Sequence, residues 1–197
     1  MREIQRTTYL DWLRSGRDRT DVVKVITGIR RCGKSYLLFN IYKSYLKSIG
    51  VEDDQIICLA LDDDENIQYR NPLELGKYIR SLTTDESKTY YVFLDEIQNI
   101  PEWERVVSTL FLKGADIYIT GSNSQMLSTE LSTKLSGRCI EIRVQPLAFR
   151  EYLLFRKESG KDAATLLDDY IRRGGFPAVA LLEDTMPGLV PDMLMGI

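Results

Sequence analysis

The first chemistry legible in the chain lies in one unbroken stretch, Gly28-Ile29-Arg30-Arg31-Cys32-Gly33-Lys34-Ser35, spaced as G-x-x-x-x-G-K-S. Its two glycines allow backbone angles that turn successive N–H groups into one concavity, and a helix opening at Lys34 adds its partial positive charge. Such a cradle suits a polyphosphate tail. The Lys34 ammonium is placed to reach β- and γ-phosphates, and the Ser35 hydroxyl to ligate Mg2+. Gly28, Ile29, Arg30, Arg31, Cys32, Gly33, Lys34 and Ser35, with Tyr36 behind them, are therefore the candidate nucleotide-binding residues. Cys32 has two readings: a small residue that fits the loop, or a thiol acidified by the helix terminus that brakes binding when oxidised.

A second constellation ends the apolar run Tyr90-Tyr91-Val92-Phe93-Leu94 in two carboxylates, Asp95 and Glu96. Beside a phosphate cradle, Asp95 is placed to support Mg2+ together with Ser35, and Glu96 to orient or deprotonate a water attacking the γ-phosphate. Asp62-Asp63-Asp64-Glu65 also follows an apolar run and competes for the metal role. Four adjacent carboxylates repel one another, however, and read as a solvated loop. The run Ile117-Tyr118-Ile119-Thr120 leads into Gly121-Ser122-Asn123, whose polar side chains would sense the γ-phosphate, cap a helix, or do both.

Composition narrows the alternatives. The 197 residues include no histidine and only three cysteines, Cys32, Cys58 and Cys139. Ser-His-Asp chemistry, His-assisted thiol chemistry and zinc centres built on histidine are excluded, and the scattered thiols suit neither a zinc site nor a disulfide framework. Apolar runs are too short to cross a bilayer, and the charged start Met1-Arg2-Glu3-Ile4-Gln5-Arg6 leads into no signal-like apolar stretch, so a cytoplasmic protein without membrane association is expected. Net charge is 26 − 29 = −3. Residues 1–35 nevertheless carry nine Lys/Arg against four Asp/Glu, which fits a bound phosphate and, more weakly, a nucleic acid.

Five strand-like runs must hold these groups: Val22–Thr27, Gln55–Leu61, Tyr90–Leu94, Ile117–Thr120 and Cys139–Val144. They are apolar on both faces and alternate with amphipathic stretches, among them 34–49 and a helix over 101–112 opening at Pro101. That alternation predicts a parallel sheet between two layers of helices. A short helical segment precedes the first strand. After Pro146 the pattern changes: residues 148–171 read as helical throughout, and a turn-rich stretch with Gly174, Gly175 and Pro177 follows. A nucleotide-binding domain over 1–147 and the beginning of a helical lid over 148–197 are expected, the apolar, uncapped end suggesting a piece of a longer protein.

In this order the loop, the acidic strand end and Thr120-Gly121-Ser122-Asn123, with Leu135-Ser136-Gly137-Arg138, Pro146-Leu147 and Gly175-Phe176-Pro177, resemble the AAA+ branch of P-loop ATPases. Within that branch the chain looks most like bacterial and archaeal ATP-binding proteins related to the signal-transducing STAND group. The resemblance implies strand order 5-1-4-3-2 and an ATPase that uses Mg2+ to drive or gate a conformational change. It also implies an arginine finger or sensor at Arg138 acting within its own chain or on a neighbour, and a lid proline, Pro177, packed on adenine; Asn123, at its strand end, is the expected γ-phosphate sensor. ATP and ADP are the expected ligands. A protein partner or a further carboxy-terminal domain, sometimes nuclease-like in such proteins, would carry the output. The amino-terminal segment shows no clear adenine-contact signature, and Arg6, Tyr9 and Leu10 are its candidates. Three other functions compete: an interaction switch gated by nucleotide with slow hydrolysis, a DNA-linked role read from the basic amino-terminal third, and a small-molecule kinase, which the Asp95-Glu96 strand end disfavours because water activation is useless to a phosphotransferase.

Overall fold

A computed structural model describes residues 4–122 and 137–185. Five strands, β1 (Val23–Thr27), β2 (Ile56–Ala60), β3 (Tyr91–Asp95), β4 (Asp116–Gly121) and β5 (Cys139–Arg143), form one parallel sheet in the order β2-β3-β4-β1-β5. This is the expected order 5-1-4-3-2 read from the other edge. Every residue of β1, β3 and β4 is buried, whereas the edge strands β2 and β5 are partly exposed. Near-continuous apolar runs are what strands covered on both faces require. Registers Thr27↔Gly121, Thr27↔Arg143 and Ala60↔Asp95 align the carboxyl ends of the strands along one edge. In an open α/β sheet that edge is where ligands bind.

Helices α1 (Thr7–Ser15), α2 (Lys34–Tyr36), a π-type segment Leu37–Tyr42 and α3 (Lys43–Ser48) cover one face. Leu10, Leu13, Leu37, Leu38, Ile41, Tyr42 and Leu46 pack there against Ile26, Phe93 and Tyr118. The stretch expected as one α-helix over 34–49 is thus widened in its middle turns, where Leu37, Leu38, Ile41 and Tyr42 are all buried. Helices α4 (Pro72–Leu82) and α5 (Trp103–Leu112) cover the other face through Leu75, Ile79, Trp103, Val106, Val107 and Leu110. Each such side chain taken fully out of water contributes about 1.5–3 kcal/mol. The α5 helix begins later than expected, because Pro101 lies in a turn and Glu102 takes a left-handed conformation with φ 50°.

Past β5, α6 (Phe149–Phe155), α7 (Ala163–Arg173) and α8 (Pro177–Thr185) surround a smaller apolar cluster of Leu147, Tyr152, Phe155, Leu166 and Ala180. The continuous helix expected over 148–171 is broken. Gly160 adopts φ 73°, and Asp162 then caps α7 by accepting from the Thr165 N–H at 2.8 Å. Of the stretch expected as turn-rich, Pro177–Thr185 instead forms α8, with Pro177 as its first residue, where a proline's missing N–H costs nothing; Pro187 and Pro191 lie outside the described residues.

One cluster in the core is polar. Lys24 of β1 and Asp116 of β4 are fully buried and ion-paired. Asp116 also accepts from the Asp18 N–H at 2.9 Å and the Tyr118 hydroxyl at 3.0 Å, and Tyr118 meets the Tyr42 hydroxyl at 2.6 Å. Burial pushes the Lys24 ammonium down and the Asp116 carboxyl up from their ordinary values. Both lie toward the amino ends of their strands, so they fix β1 against β4 without entering the ligand edge.

Candidate active site

The loop between β1 and α2 has the geometry its glycines allow. Gly28 sits at φ 147°, and a Cβ there would come within 2.3 Å of the Val144 carbonyl oxygen, so the loop lies against the end of β5 only if this residue is glycine. Gly33, at φ 98°, turns the chain into α2. The Lys34 side chain folds back over the loop: its Nζ donates to the carbonyls of Gly28 at 3.0 Å and Ile29 at 3.2 Å and lies 3.4 Å from Glu96 Oε1. These are the partners a bound phosphate would have to displace or share.

Opposite Lys34, the end of β3 supplies both carboxylates. Asp95 is buried and accepts hydrogen bonds from the hydroxyls of Ser35 and Thr120. Burial pushes its carboxyl above the usual carboxylate range despite those two hydrogen bonds, and the nearby charges of Glu96 and Asp62 add to the rise. A divalent cation would reverse that balance. Glu96 takes a left-handed backbone conformation, φ 52°, and its N–H donates to Thr120 Oγ1 at 3.0 Å. Burial works against ionisation of Glu96, yet hydrogen bonds from Gln98 and Ser122 and the charge of Lys34 outweigh it and hold the carboxyl below its ordinary value. Gln98 Nε2 donates to Glu96 Oε2 and reaches Ser122 Oγ at 3.3 Å, while the Ser122 N–H lies 3.3 Å from Glu96 Oε2. Thr120 and Gln98 are thus site residues that no motif assigned to chemistry; their signal is position, one at the end of β4 and one two residues beyond Glu96.

A cavity of about 150 Å³ opens beside the loop, lined by Ile4, Arg6, Gly33, Tyr36, Leu147 and Pro177 among others. The Pro177 ring lies over the loop, its Cγ 3.9 Å from where a Cβ on Gly33 would stand. The preceding Gly175 makes this approach possible: a Cβ there would stand 2.1 Å from the Leu147 carbonyl oxygen, and the Leu147 N–H donates to the Gly175 carbonyl at 2.7 Å. Of the three amino-terminal candidates only Arg6 lines the cavity. Leu10 is buried in the core, and the Tyr9 hydroxyl accepts from the Gln145 N–H at 3.1 Å.

Other expectations fare differently. Arg138 precedes β5, whose residue Cys139 pairs with Val23 at the end of the sheet away from the loop, about 16 Å from it at 3.3 Å per residue. Its guanidinium lies 5.5 Å from the centre of the Phe111 ring. Of the two modes left open for Arg138, action within its own chain does not fit this placement. Asn123 lies outside the described residues. Cys32 is buried and 3.4 Å from the Val144 carbonyl, and burial pushes its thiol up, so the loop does not acidify it. The acidic run is not the open loop expected: Asp63 caps a 3-10 helix over Asp64–Arg70 by accepting from the Glu65 N–H at 3.0 Å, and Arg70 donates to the carbonyls of Leu61 and Asp62 at 2.7 and 2.9 Å.

No group of three or more His, Cys, Asp or Glu side chains is arranged for a metal among the described residues. The hydrogen-bonded Ser35–Asp95 pair nevertheless fits Mg2+, which keeps several waters and takes one or two protein oxygens plus those of a phosphate.

Residues 20–153 match the family described as the AAA domain. An uncharacterised protein of Haemophilus influenzae is 35% identical over 186 residues, which cover 93% of this chain and 46% of that protein. One of Methanocaldococcus jannaschii is 34% identical over 175 residues, covering 82% of this chain and 37% of its own length. The chain therefore spans less than half of either relative. Among solved structures, AMPPCP-bound DnaA from Aquifex aeolicus superposes with a TM-score of 0.57 at 15% identity, over 96% of this chain and 64% of that one, a likeness of fold.

Proposed function

Because the chain belongs to the AAA domain family, we propose that it binds ATP at the Gly28–Ser35 loop and hydrolyses it with Mg2+, driving or gating movement of the lid helices. One observation carries this reading: a glycine-bounded loop, a buried lysine, a Ser–Asp pair and a hydrogen-bonded glutamate converge at the carboxyl edge of a single parallel sheet. The loop amides and Lys34 hold the β- and γ-phosphates. Ser35 and Asp95 hold Mg2+, which when bound would neutralise phosphate charge as the bond to the leaving group lengthens. Glu96, kept ionised by Gln98, Ser122 and Lys34, orients the attacking water and accepts its proton. The apolar cavity takes the adenine, with Pro177 as one wall, so occupancy bears directly on the lid. Asn123 senses the γ-phosphate. Arg138 stabilises transition-state charge on a neighbouring copy of the chain. The nucleotide-binding unit runs over 1–147 and the lid begins at 148. Kinship with the STAND group and a cytoplasmic location belong to the same reading.

The test is a titration with ATP and Mg2+ followed by phosphate release without any added acceptor. Wild-type protein is expected to show saturable binding and multiple turnovers. Lys34→Ala should weaken binding at least about thirtyfold, the lower end of what removing one partner of a buried charge pair costs. A folded wild-type protein that takes up no nucleotide overturns the proposal, and phosphate transfer that requires an acceptor turns it into a kinase.

A further inference from the structure

We propose that Arg6 is a positioning residue that fastens the lid to the phosphate loop and so makes base affinity depend on lid position. The proposal rests on the cavity beside Gly33 being the nucleobase pocket. Its three walls come from separate segments: the amino-terminal stretch through Ile4, the loop through Cys32 and Gly33, and the root of the lid through Leu147. They meet on one side chain. Arg6 Nη1 donates to the Cys32 carbonyl at 3.0 Å, and Nη2 donates to the carbonyls of Gln145 at 2.7 Å and Pro146 at 3.4 Å. Nε and Nη2 then grip both oxygens of Glu151 in the first turn of α6, each at 3.2 Å. Only 5% of the side chain is exposed, and the guanidinium lies 4.5 Å from the centre of the Tyr9 ring.

Such an arrangement has a cost that needs a reason. Arg6 holds φ at 43°, a conformation that non-glycine residues rarely adopt, and the bend aims the guanidinium inward while Ile4 reaches the cavity. A planar fork with five N–H groups can serve the loop carbonyl, the linker carbonyls and a carboxylate together; an ammonium cannot. Glu151 is fixed in turn, since its Oε2 accepts from the Ala148 N–H at 2.9 Å at the start of α6. Displacing the lid therefore breaks the bidentate pair and loosens the wall that Ile4 supplies. The phosphate-gripping Lys34 is held by other partners, the carbonyls of Gly28 and Ile29, and Arg6 meets the loop at Cys32, which lines the cavity. Arg6 should consequently act on base binding and leave phosphate binding alone.

Two ligands separate these effects: ATP with Mg2+, which uses loop and cavity, and inorganic tripolyphosphate with Mg2+, which uses the loop only. The variants are Arg6→Lys, Glu151→Gln and their combination, each checked by thermal melting; Glu151→Gln retains an oxygen for the Ala148 N–H. Each single variant is expected to bind ATP about tenfold more weakly, the loss typical of one charge-assisted contact, with tripolyphosphate affinity unchanged within about twofold. The combination should lose little more than either single change, because both break one contact. Equal losses for the two ligands, unchanged ATP affinity or additive losses each overturn the proposal. Wild-type protein that holds ATP no more tightly than tripolyphosphate removes the base pocket itself, and Arg6's role with it. A wild type that binds neither ligand strikes the proposed function instead.

Discussion

The Lys34 ammonium lies 3.4 Å from Glu96 Oε1 while it donates to the carbonyls of Gly28 and Ile29. The cation proposed to grip the γ-phosphate and the carboxylate proposed to serve the water are thus each other's partners. A phosphate competing for Lys34 withdraws it from Glu96, which remains held by Gln98 and Ser122. Glu96→Gln removes the negative charge but keeps a side chain of the same shape. It should bind ATP at least as tightly as wild type while releasing phosphate about 10²–10⁴ times more slowly, the usual contribution of a general base. Equilibrium titration beside single-turnover hydrolysis reads both quantities. Equal single-turnover rates for the two proteins would remove Glu96 from the reaction.

Gln98 gives a second, separable prediction. Its amide N–H donates to Glu96 and Ser122, and its Oε1 is buried with no hydrogen-bond partner among the described residues. Leaving such an acceptor unpaired costs about 1–3 kcal/mol, which a water bound next to Glu96 would offset. Gln98→Ala should lower kcat about tenfold with ATP affinity unchanged, the pattern of an interaction made in the transition state alone. In a Glu96→Gln background the same change should have no further effect, since the carboxylate it positions has gone. A rise in Kd with kcat intact would mark Gln98 as a binding residue instead.

How much of this was legible follows from how the groups are strung along the chain. The loop and the Asp95-Glu96 strand end are runs of consecutive residues, so types and spacing expose them, and the buried strands that carry them announce the sheet. The cavity proposed for the base is assembled from Ile4, Gly33, Leu147 and Pro177 among others, and no local pattern links positions that far apart. Helix α4 lies outside the stretches named as amphipathic, although its start carries a legible signal, Asn71 accepting from the Leu73 N–H at 2.9 Å with Pro72 next. Lys24 within an otherwise apolar strand reads as an oddity until its partner, 92 residues away, is beside it. Arg138 was placed by resemblance, and only strand direction shows at which end of the sheet it lies.

Redox control of the loop is a possibility the sequence raises and the packing removes. The Cys32 thiol is buried and pushed above its ordinary pKa, and burial raises Cys58 to about 11. Thiolate is the reactive form, so both should be sluggish toward alkylating agents and peroxide near neutral pH. Iodoacetamide at pH 7 is expected to modify the native protein slowly and the urea-unfolded protein rapidly. Peroxide should shift ATP affinity no more in wild type than in Cys32→Ser. A peroxide-dependent loss of binding confined to the wild type would restore the thiol as a brake.

The buried Lys24–Asp116 pair carries the last prediction, one of stability. Lys24→Met removes the cation that opposes the upward shift of Asp116 and leaves the carboxylate, among the described residues, with the Asp18 N–H and the Tyr118 hydroxyl. Breaking one side of a buried pair typically costs about 3–5 kcal/mol. The cost must depend on pH in one direction. Without Lys24, the folded pKa of Asp116 rises further above its unfolded value of about 3.9. A carboxyl raised in the folded state contributes stability that is complete below the unfolded pKa and is lost as pH rises through the folded pKa. The deficit of Lys24→Met relative to wild type should therefore shrink between pH 7 and pH 5 in urea unfolding. Adding Asp116→Asn, which cannot ionise, should abolish that trend and recover part of the loss at pH 7. A deficit identical at both pH values, or a double variant less stable than Lys24→Met at pH 7, would show that β1 and β4 are not held by this charge pair.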